Sequence, residues 1–394
     1  MSFPAGQATV RAMSLDLSHP GIEDLKRTAR RRIPHFVWEY LDSAVGREDA
    51  RAMAEAALDR IRLMPHMLRG VATPDLSIRL FGKTHPLPFG FAPVGMSGLV
   101  HPGAERLLAR LAAREQIPYT LSTVAAATPE EIGPHAGAQG WFQLYAPADP
   151  GIRRDICNRA RAAGFHTLVL TADLAVASRR ERLQRARLTN PMTLTPRIVL
   201  DAARRPGWAL GMLGHGTPRL KTLERYTDPK RKGSATAHVG YQIRTAPDMD
   251  YLRALRSEWE GPLLVKGVLC ANDAAAIRDA GADGIWVSNH GGRQFDGAPP
   301  PVLQLPAIRA ALGPDVPVIY DSGLRSGLDI MRALALGADF CMIGRAVHYG
   351  VAAFGARGAA HAVRILRGQL MADMANAGCA RLADLPEHVV SEPR

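Results

Sequence analysis

The chain has 394 residues, 47% hydrophobic and 22% charged, a balance that excludes intrinsic disorder and leaves room for one large domain or two ordinary ones. Its 49 lysines and arginines against 37 acidic residues give a formal charge of +12, which attracts nucleic acid, anionic membrane or phosphate-bearing ligands without choosing among them. Cys157, Cys270, Cys341 and Cys379 lie far apart and form no C-x-x-C pair, so neither a zinc site nor a disulfide framework is expected, and reduced thiols suit the cytoplasm.

Taken in order, Met1 to Leu17 lacks an apolar core of signal-peptide length, and no later run reaches the roughly 20 apolar residues of a spanning helix; any membrane contact is expected to be peripheral. Ile22 to Leu41 reads as helical, with Lys26, Arg27, Arg30, Arg31 and Arg32 on its polar side and Pro34 opening a second helix. Tyr40 ends that helix, and a tyrosine there bridges surface and core more often than it binds a ligand. Glu48 to Arg60 is alanine-rich and helical.

Short apolar runs then recur at Pro88–Pro93, Pro118–Val124, Trp141–Tyr145, Thr167–Asp173, Pro262–Gly267, Ile285–Ser288, Pro317–Gly323 and Phe340–Arg345. Helical patterns separate them: Gly103–Glu115, a short one near Pro129, Asp149–Ala163, Ala271–Ala280, Leu303–Leu312 and Gly327–Leu336. Near-continuous apolar strands alternating with helices predict an α/β protein, a closed (β/α)8 TIM barrel over 88–380 behind an N-terminal helical segment, 1–87, in one domain, 1–394. In such a barrel the chemistry sits at the C-terminal strand ends, where this sequence places Ser122, Gln143, Tyr145, Thr171, Asp173, Lys266, His290, Asp321 and Arg345.

A long loop insertion, about 188–246, interrupts the rhythm after the fourth barrel strand. It carries Arg204, Arg205, Arg219, Lys221, Arg225, Lys230, Arg231 and Lys232 against Asp201, Glu224 and Asp228, interleaved with apolar residues such as Val199, Leu200, Trp208, Leu210 and Leu213. That mixture suits contact with anionic lipid; a solvated lid with a basic surface accounts for the same residues.

The stretch Ser288-Asn289-His290-Gly291-Gly292-Arg293 follows the buried run Gly284–Val287 and brings together a base, a fixed cation and backbone freedom. Gly291 and Gly292 permit positive φ and close approach of a ligand; a glycine-rich turn with a satisfied histidine fits the spacing equally well. Gly323 with Arg325, and Gly344 with Arg345, pair glycine amides with a cation where barrels commonly hold phosphate. Lys266, on a buried strand, needs an anionic partner, either a reduced flavin or a structural carboxylate.

These motifs, with Leu264-Val265-Lys266-Gly267, Phe142-Gln143-Leu144-Tyr145, Arg179-Arg180-Glu181 and Asp321-x-Gly323-x-Arg325-x-Gly327, closely resemble the FMN-dependent L-2-hydroxy-acid oxidase and dehydrogenase family from Pro34 to Cys379. The resemblance implies that His290 is the catalytic base, Asp173 orients it, and Tyr145 lies near the substrate hydroxyl. It implies that Tyr40, Arg180 and Arg293 hold the substrate carboxylate. It implies FMN contacts from Gln143, Thr171, Ser122, Lys266 and Ser288, with Pro93, Val94 and Gly95 against the flavin face. Asp321, Gly323, Arg325, Gly344 and Arg345 match ribityl and phosphate contacts.

The chain departs from the family pattern at Ser43-Ala44-Val45 and along Arg182-Leu183-Gln184-Arg185-Ala186-Arg187. Gly95 resembles dehydrogenase members, where oxidases often carry alanine, and the insertion looks like that of the membrane-associated mandelate and lactate dehydrogenases. Small Val124 and Ala177 leave space for an aromatic or longer acid. The expectation is electron transfer to quinone by a homo-oligomer, a tetramer, that is cytoplasmic and peripheral on the inner face of the cytoplasmic membrane. The alternatives are an oxygen-using oxidase producing hydrogen peroxide and a barrel isomerase that uses FMN without net oxidation. A basic nucleic-acid-binding protein is disfavoured, because aromatics are 6% of the chain and no binding motif is present.

Overall fold

Eight parallel strands close into a barrel in the computed structural model, which describes residues 15–176, 178–186, 195–216, 218–226 and 244–390. A short antiparallel hairpin, β1 (Ile78–Leu80) and β2 (Lys83–His85), precedes it. The barrel strands are β3 (Phe89–Phe91), β4 (Tyr119–Ser122), β5 (Gly140–Tyr145), β6 (Thr167–Thr171), β7 (Leu263–Val268), β8 (Gly284–Val287), β9 (Val318–Tyr320) and β10 (Phe340–Ile343). Neighbours in sequence are neighbours in the sheet, and β10 pairs with β3 to close the ring. Each apolar run read from the sequence supplies one of these strands. The fold is the expected (β/α)8 barrel.

Alternation along the strands sorts the core into two layers. Trp141, Val169, Leu264, Trp286, Ile319, Phe340 and Met342 point inward, and with Leu80 of the hairpin they fill the barrel. Their neighbours Phe142, Leu168, Val265, Ile285, Val318 and Cys341 point outward under the surrounding helices. Both faces are apolar, which is why the strands read as continuous rather than alternating runs.

The helices begin where local chemistry starts them. Asp149 caps Pro150–Ala162 through the amides of Gly151 and Ile152, and Ser326 caps Gly327–Ala335 with Asp329 returning the bond. Before the barrel come Ile22–Arg32, His35–Asp42 and Asp49–Arg60. After β10, Arg345–Ala377 is two helices meeting at a kink at Phe354 and Gly355.

The region read as a long loop contains the helices Pro196–Ala203, Pro206–His215 and Lys221–Glu224. Thr195 caps the first of these with Pro196 at its first position, a start signal that the basic composition obscured. Asp201 accepts the backbone N–H of His35 at 2.6 Å, and Trp208 Nε1 donates to Leu99 O at 2.9 Å, so these helices dock on the N-terminal segment and the loop after β3. Ile198 and Met212 are buried, whereas Val199, Leu200, Leu210 and Leu213 are exposed. Lys230, Arg231 and Lys232, and Ala177, lie outside the described residues.

Candidate active site

The end of β8 sets the His290 corner of the cavity. His290, Gly291 and Gly292 follow one another at φ of 57°, 63° and 74°, a left-handed run that glycine adopts freely and histidine adopts at a cost. A Cβ on Gly292 would fall 2.8 Å from the Arg51 backbone nitrogen, so close packing as well as φ requires glycine there. The Ser288 hydroxyl restrains the turn: it accepts the His290 N–H at 2.9 Å and Lys266 Nζ at 2.6 Å, and donates to Asp321 Oδ1 at 2.6 Å.

The imidazole is thereby aimed at Asp173, with Nδ1 at 2.9 Å from Oδ1. Space for Asp173 exists because residue 267 is glycine; a Cβ there would lie 2.5 Å from the Asp173 Cβ. Burial pushes the Asp173 carboxyl up, but the charge of His290, the hydrogen bond to it and the charge of Lys266 together hold it below its ordinary value. An ionised carboxylate only accepts, so Nδ1 carries the proton and Nε2 is left with the basic lone pair.

Helix His35–Asp42 organises the cations opposite. Arg293 donates to the carbonyls of Tyr40, at 3.0 Å, and Leu41, and Arg345 donates to those of Leu41, at 3.3 Å, and Ser43, at 3.0 Å. The third Arg345 nitrogen donates to Gly291 O at 2.9 Å, tying the histidine turn to the helix. Arg182 sits among Glu39, Glu48 and Asp42, at 2.6, 3.0 and 3.2 Å, and places the following turn of chain over the site. Arg180 and Arg293 flank the Tyr40 ring, with guanidinium carbons 5.5 and 6.0 Å from its centroid. Burial and then the nearby Arg180 charge bring Arg293 down to about 10. Because guanidinium keeps its proton, the consequence is a site that demands an anion.

A cavity of about 390 Å³ opens between these groups, a size suited to a small molecule and part of a cofactor. Of the residues singled out in the sequence, Tyr40, Pro93, Val94, Gly95, Tyr145, Arg180, Lys266, His290, Arg293, Asp321, Gly323, Arg325, Gly344 and Arg345 line it. Asp173, Ser122, Gln143, Thr171 and Ser288 stand behind its wall. Gln143 joins two strand ends, accepting from Ser122 Oγ at 2.7 Å and donating to Thr171 Oγ1 at 3.0 Å. Lys266 has the structural carboxylate that was one of its two readings, Asp321 Oδ2 at 3.1 Å, and still faces the cavity. The Tyr40 hydroxyl donates to Gly95 O at 2.6 Å, which occupies its single proton. A Cβ on Gly95 would meet Val124 Cγ2 at 2.6 Å, which makes residue 95 a determinant of the cavity's shape.

At the far end Arg325 pairs with Glu55 at 3.0 Å, while Arg345 is buried and, among the described residues, bonded to no carboxylate. Burial first, and then the charges of Arg293 and Arg51, lower the Arg345 pKa well below the usual guanidinium value. A buried cation of this kind beside glycine backbone fits a phosphate monoester. Glu39, Asp42 and Glu48 were not singled out in the sequence, and Arg182 was named there only as a departure from the family pattern; Arg182 lies 143, 140 and 134 residues from Glu39, Asp42 and Glu48, and no local motif marks the cluster.

A closed parallel barrel with an imidazole–carboxylate pair over a cation-lined cavity defines an enzyme that handles a small anion beside a phosphate-bearing cofactor. The FMN-dependent dehydrogenase family model matches residues 29–392, and the chain belongs to that family. It is 37% identical over 384 residues to an L-lactate dehydrogenase of Caulobacter vibrioides (strain NA1000 / CB15N), covering 94% of this chain and 97% of that one. It is 35% identical over 374 residues to an L-lactate dehydrogenase of Pseudomonas syringae pv. syringae (strain B728a), covering 93% and 97%. The crystal structure of the monotopic membrane protein (S)-mandelate dehydrogenase superposes with a TM-score of 0.90 at 34% identity, covering 94% of this chain and 99% of that one. A mandelate oxidase structure gives 0.79 at 31%, covering 94% and 97%.

The protein is therefore an FMN-dependent oxidoreductase of the 2-hydroxy-acid dehydrogenase and oxidase family. The cavity fits that cofactor: Arg345 and Gly344 suit the phosphate, and Lys266 suits a ring system that gains negative charge on reduction. Among the described residues no helix is long and apolar enough to cross a membrane.

Proposed function

We propose that the protein oxidises an L-2-hydroxy acid to the 2-keto acid, with His290 as base, and passes the electrons to quinone at an anionic membrane surface. The His290–Asp173 pair, with Nε2 left basic beside two arginines, carries this reading. Arg293 and Arg180 hold the substrate carboxylate, with Tyr40 joining them when its hydroxyl turns from Gly95 O. His290 Nε2 takes the substrate proton, and Asp173 stabilises the imidazolium that forms. Tyr145 steadies the substrate hydroxyl; burial pushes its phenol up to about 12, so it stays protonated and can donate. When bound, FMN would supply the two-electron acceptor; Lys266, Ser288, Gln143, Thr171, Ser122 and the Pro93–Gly95 turn would hold its ring, and Asp321, Gly323, Arg325, Gly344 and Arg345 its ribityl and phosphate arm. We take residues 1–394 as one functional unit.

Two observations support the acceptor and the membrane. Residue 95 is the dehydrogenase-like glycine, with room there for no side chain because a Cβ would fall 2.6 Å from Val124 Cγ2, and the insertion's helices turn Leu200, Leu210 and Leu213 outward on a segment that also exposes Arg204. One experiment tests both: incubation under argon with an L-2-hydroxy acid and anionic vesicles carrying a quinone. The protein should sediment with the vesicles at low salt, and its bleached flavin should recolour only when quinone is present. Rapid recolouring by air with no response to quinone would instead support an oxidase that releases hydrogen peroxide.

A further inference from the structure

Helix Asp49–Arg60 starts without a side-chain cap of its own. Glu48 stands at the capping position with φ of 67°, and its carboxylate is engaged elsewhere, accepting the Ala44 N–H at 2.8 Å and pairing with Arg182 at 3.0 Å. The acceptor comes instead from the loop after β8. Asp296 Oδ1 accepts the N–H of Ala50, the second residue of the helix, at 3.0 Å, and Oδ2 accepts that of Arg47 at 2.8 Å. A carboxylate 246 residues along the chain thus does what a capping side chain normally does from just before the helix. The approach requires glycine at 46, with φ of 58°, where a Cβ would fall 2.6 Å from Asp296 Oδ2.

The N-terminal segment also holds this loop at its other end. Val45 N–H donates to Gly292 O at 2.9 Å, Asn289 Nδ2 donates to Ala50 O at 3.2 Å, and Arg293 donates to the last carbonyls of His35–Asp42. Arg51 joins the two helices, donating to Asp42 O at 2.7 Å and pairing with its carboxylate at 3.3 Å. Between Arg293 and Asp296 the loop has little packing to hold it, because Phe295 is 69% exposed. Its place is therefore set by polar contacts at both ends. His290 is anchored separately, through Ser288 and Asp173.

Resting on the hydroxy-acid reading above, we propose that Asp296 is a positioning residue for Arg293: by capping helix Asp49–Arg60 from across the chain, it fixes where the guanidinium stands relative to His290. Asp296 lies outside the cavity wall and acts only through this loop. Its loss therefore weakens the grip on the substrate carboxylate more than it slows proton removal.

The test is steady-state kinetics of Asp296→Ala and Asp296→Asn with one L-2-hydroxy acid. D296A should raise KM about tenfold, the scale of one misplaced charge-assisted contact, while kcat falls by less than about threefold. D296N keeps one carbonyl oxygen as acceptor and should recover most of that loss. Gly46→Ala, which pushes the carboxylate aside, should raise KM in the wild type but add less than about twofold to D296A, where the clash is gone. An unchanged KM, a D296N no better than D296A, or effects of G46A and D296A that simply multiply would overturn the assignment. The flavin spectrum checks that each variant is folded. Hydrogen exchange over residues 288–296 reads the loop without turnover: D296A should speed it by about tenfold or more, and unchanged exchange also overturns the proposal. A wild type whose flavin no L-2-hydroxy acid bleaches removes the hydroxy-acid reading instead, an outcome distinct from any of these.

Discussion

His290 depends on Asp173 for more than charge. The carboxylate fixes which nitrogen carries the proton, and the left-handed backbone at His290 and Gly291 fixes where the other nitrogen points. Asp173→Asn keeps the shape but lets the amide donate toward Nδ1, which favours the tautomer with the proton on Nε2. We expect D173N to retain FMN and lose roughly a hundredfold or more in kcat, the scale of a general-base contribution, as stopped-flow flavin reduction would measure. A loss of less than about threefold would remove Asp173 from the mechanism. At this scale the sequence was legible where chemistry is local: His290, Gly291, Gly292 and Arg293 announce a turn with a base and a cation within four positions. Arg182 is marked in the sequence only as a departure from the family pattern, and its tie to the N-terminal helices is not legible because Glu39 and Glu48 lie 143 and 134 residues away.

Helix His35–Asp42 is the element on which the proposed substrate end of the site hangs. Its last carbonyls take Arg293 and Arg345, and its carboxylates with Glu48 take Arg182, which sits two residues beyond Arg180. Replacing Arg182 leaves the buried carboxylates of Glu39 and Asp42 facing each other with one fewer counter-charge. Because Arg182 is itself partly exposed, we expect Arg182→Gln to cost about 1–3 kcal/mol in thermal or urea unfolding. A positioning role further predicts that KM for the hydroxy acid rises severalfold while kcat moves less, and that R182K recovers part of it. An unchanged KM with lowered stability would reduce Arg182 to a structural tie. The strands were readable because both of their faces are buried, and the N-terminal helices because Pro34 and the basic face mark them. The helices of the insertion are not legible in the sequence, because its positive charge masks the Thr195 cap and their short apolar faces.

For the whole molecule, the barrel explains how residues as distant as Tyr40, Asp173, His290 and Arg345 meet: each sits on, or packs against, a C-terminal strand end. The eight-stranded architecture was legible from apolar rhythm alone, whereas the roles at its mouth came from the family pattern, since spacing by itself left His290 as easily a satisfied turn residue. The net charge of +12 fits a protein whose cofactor, substrate and proposed membrane surface are all anionic. The proposed oxidation of an L-2-hydroxy acid with FMN, His290 serving as base, is read in the visible absorbance of the purified protein under argon as L- and D-2-hydroxy acids are added in turn, for wild type and His290→Asn. We expect a yellow protein in both cases, bleached by the L-acid and untouched by the D-acid in the wild type, with bleaching slowed at least about a hundredfold in H290N. A colourless preparation, or H290N bleaching at the wild-type rate, would contradict it.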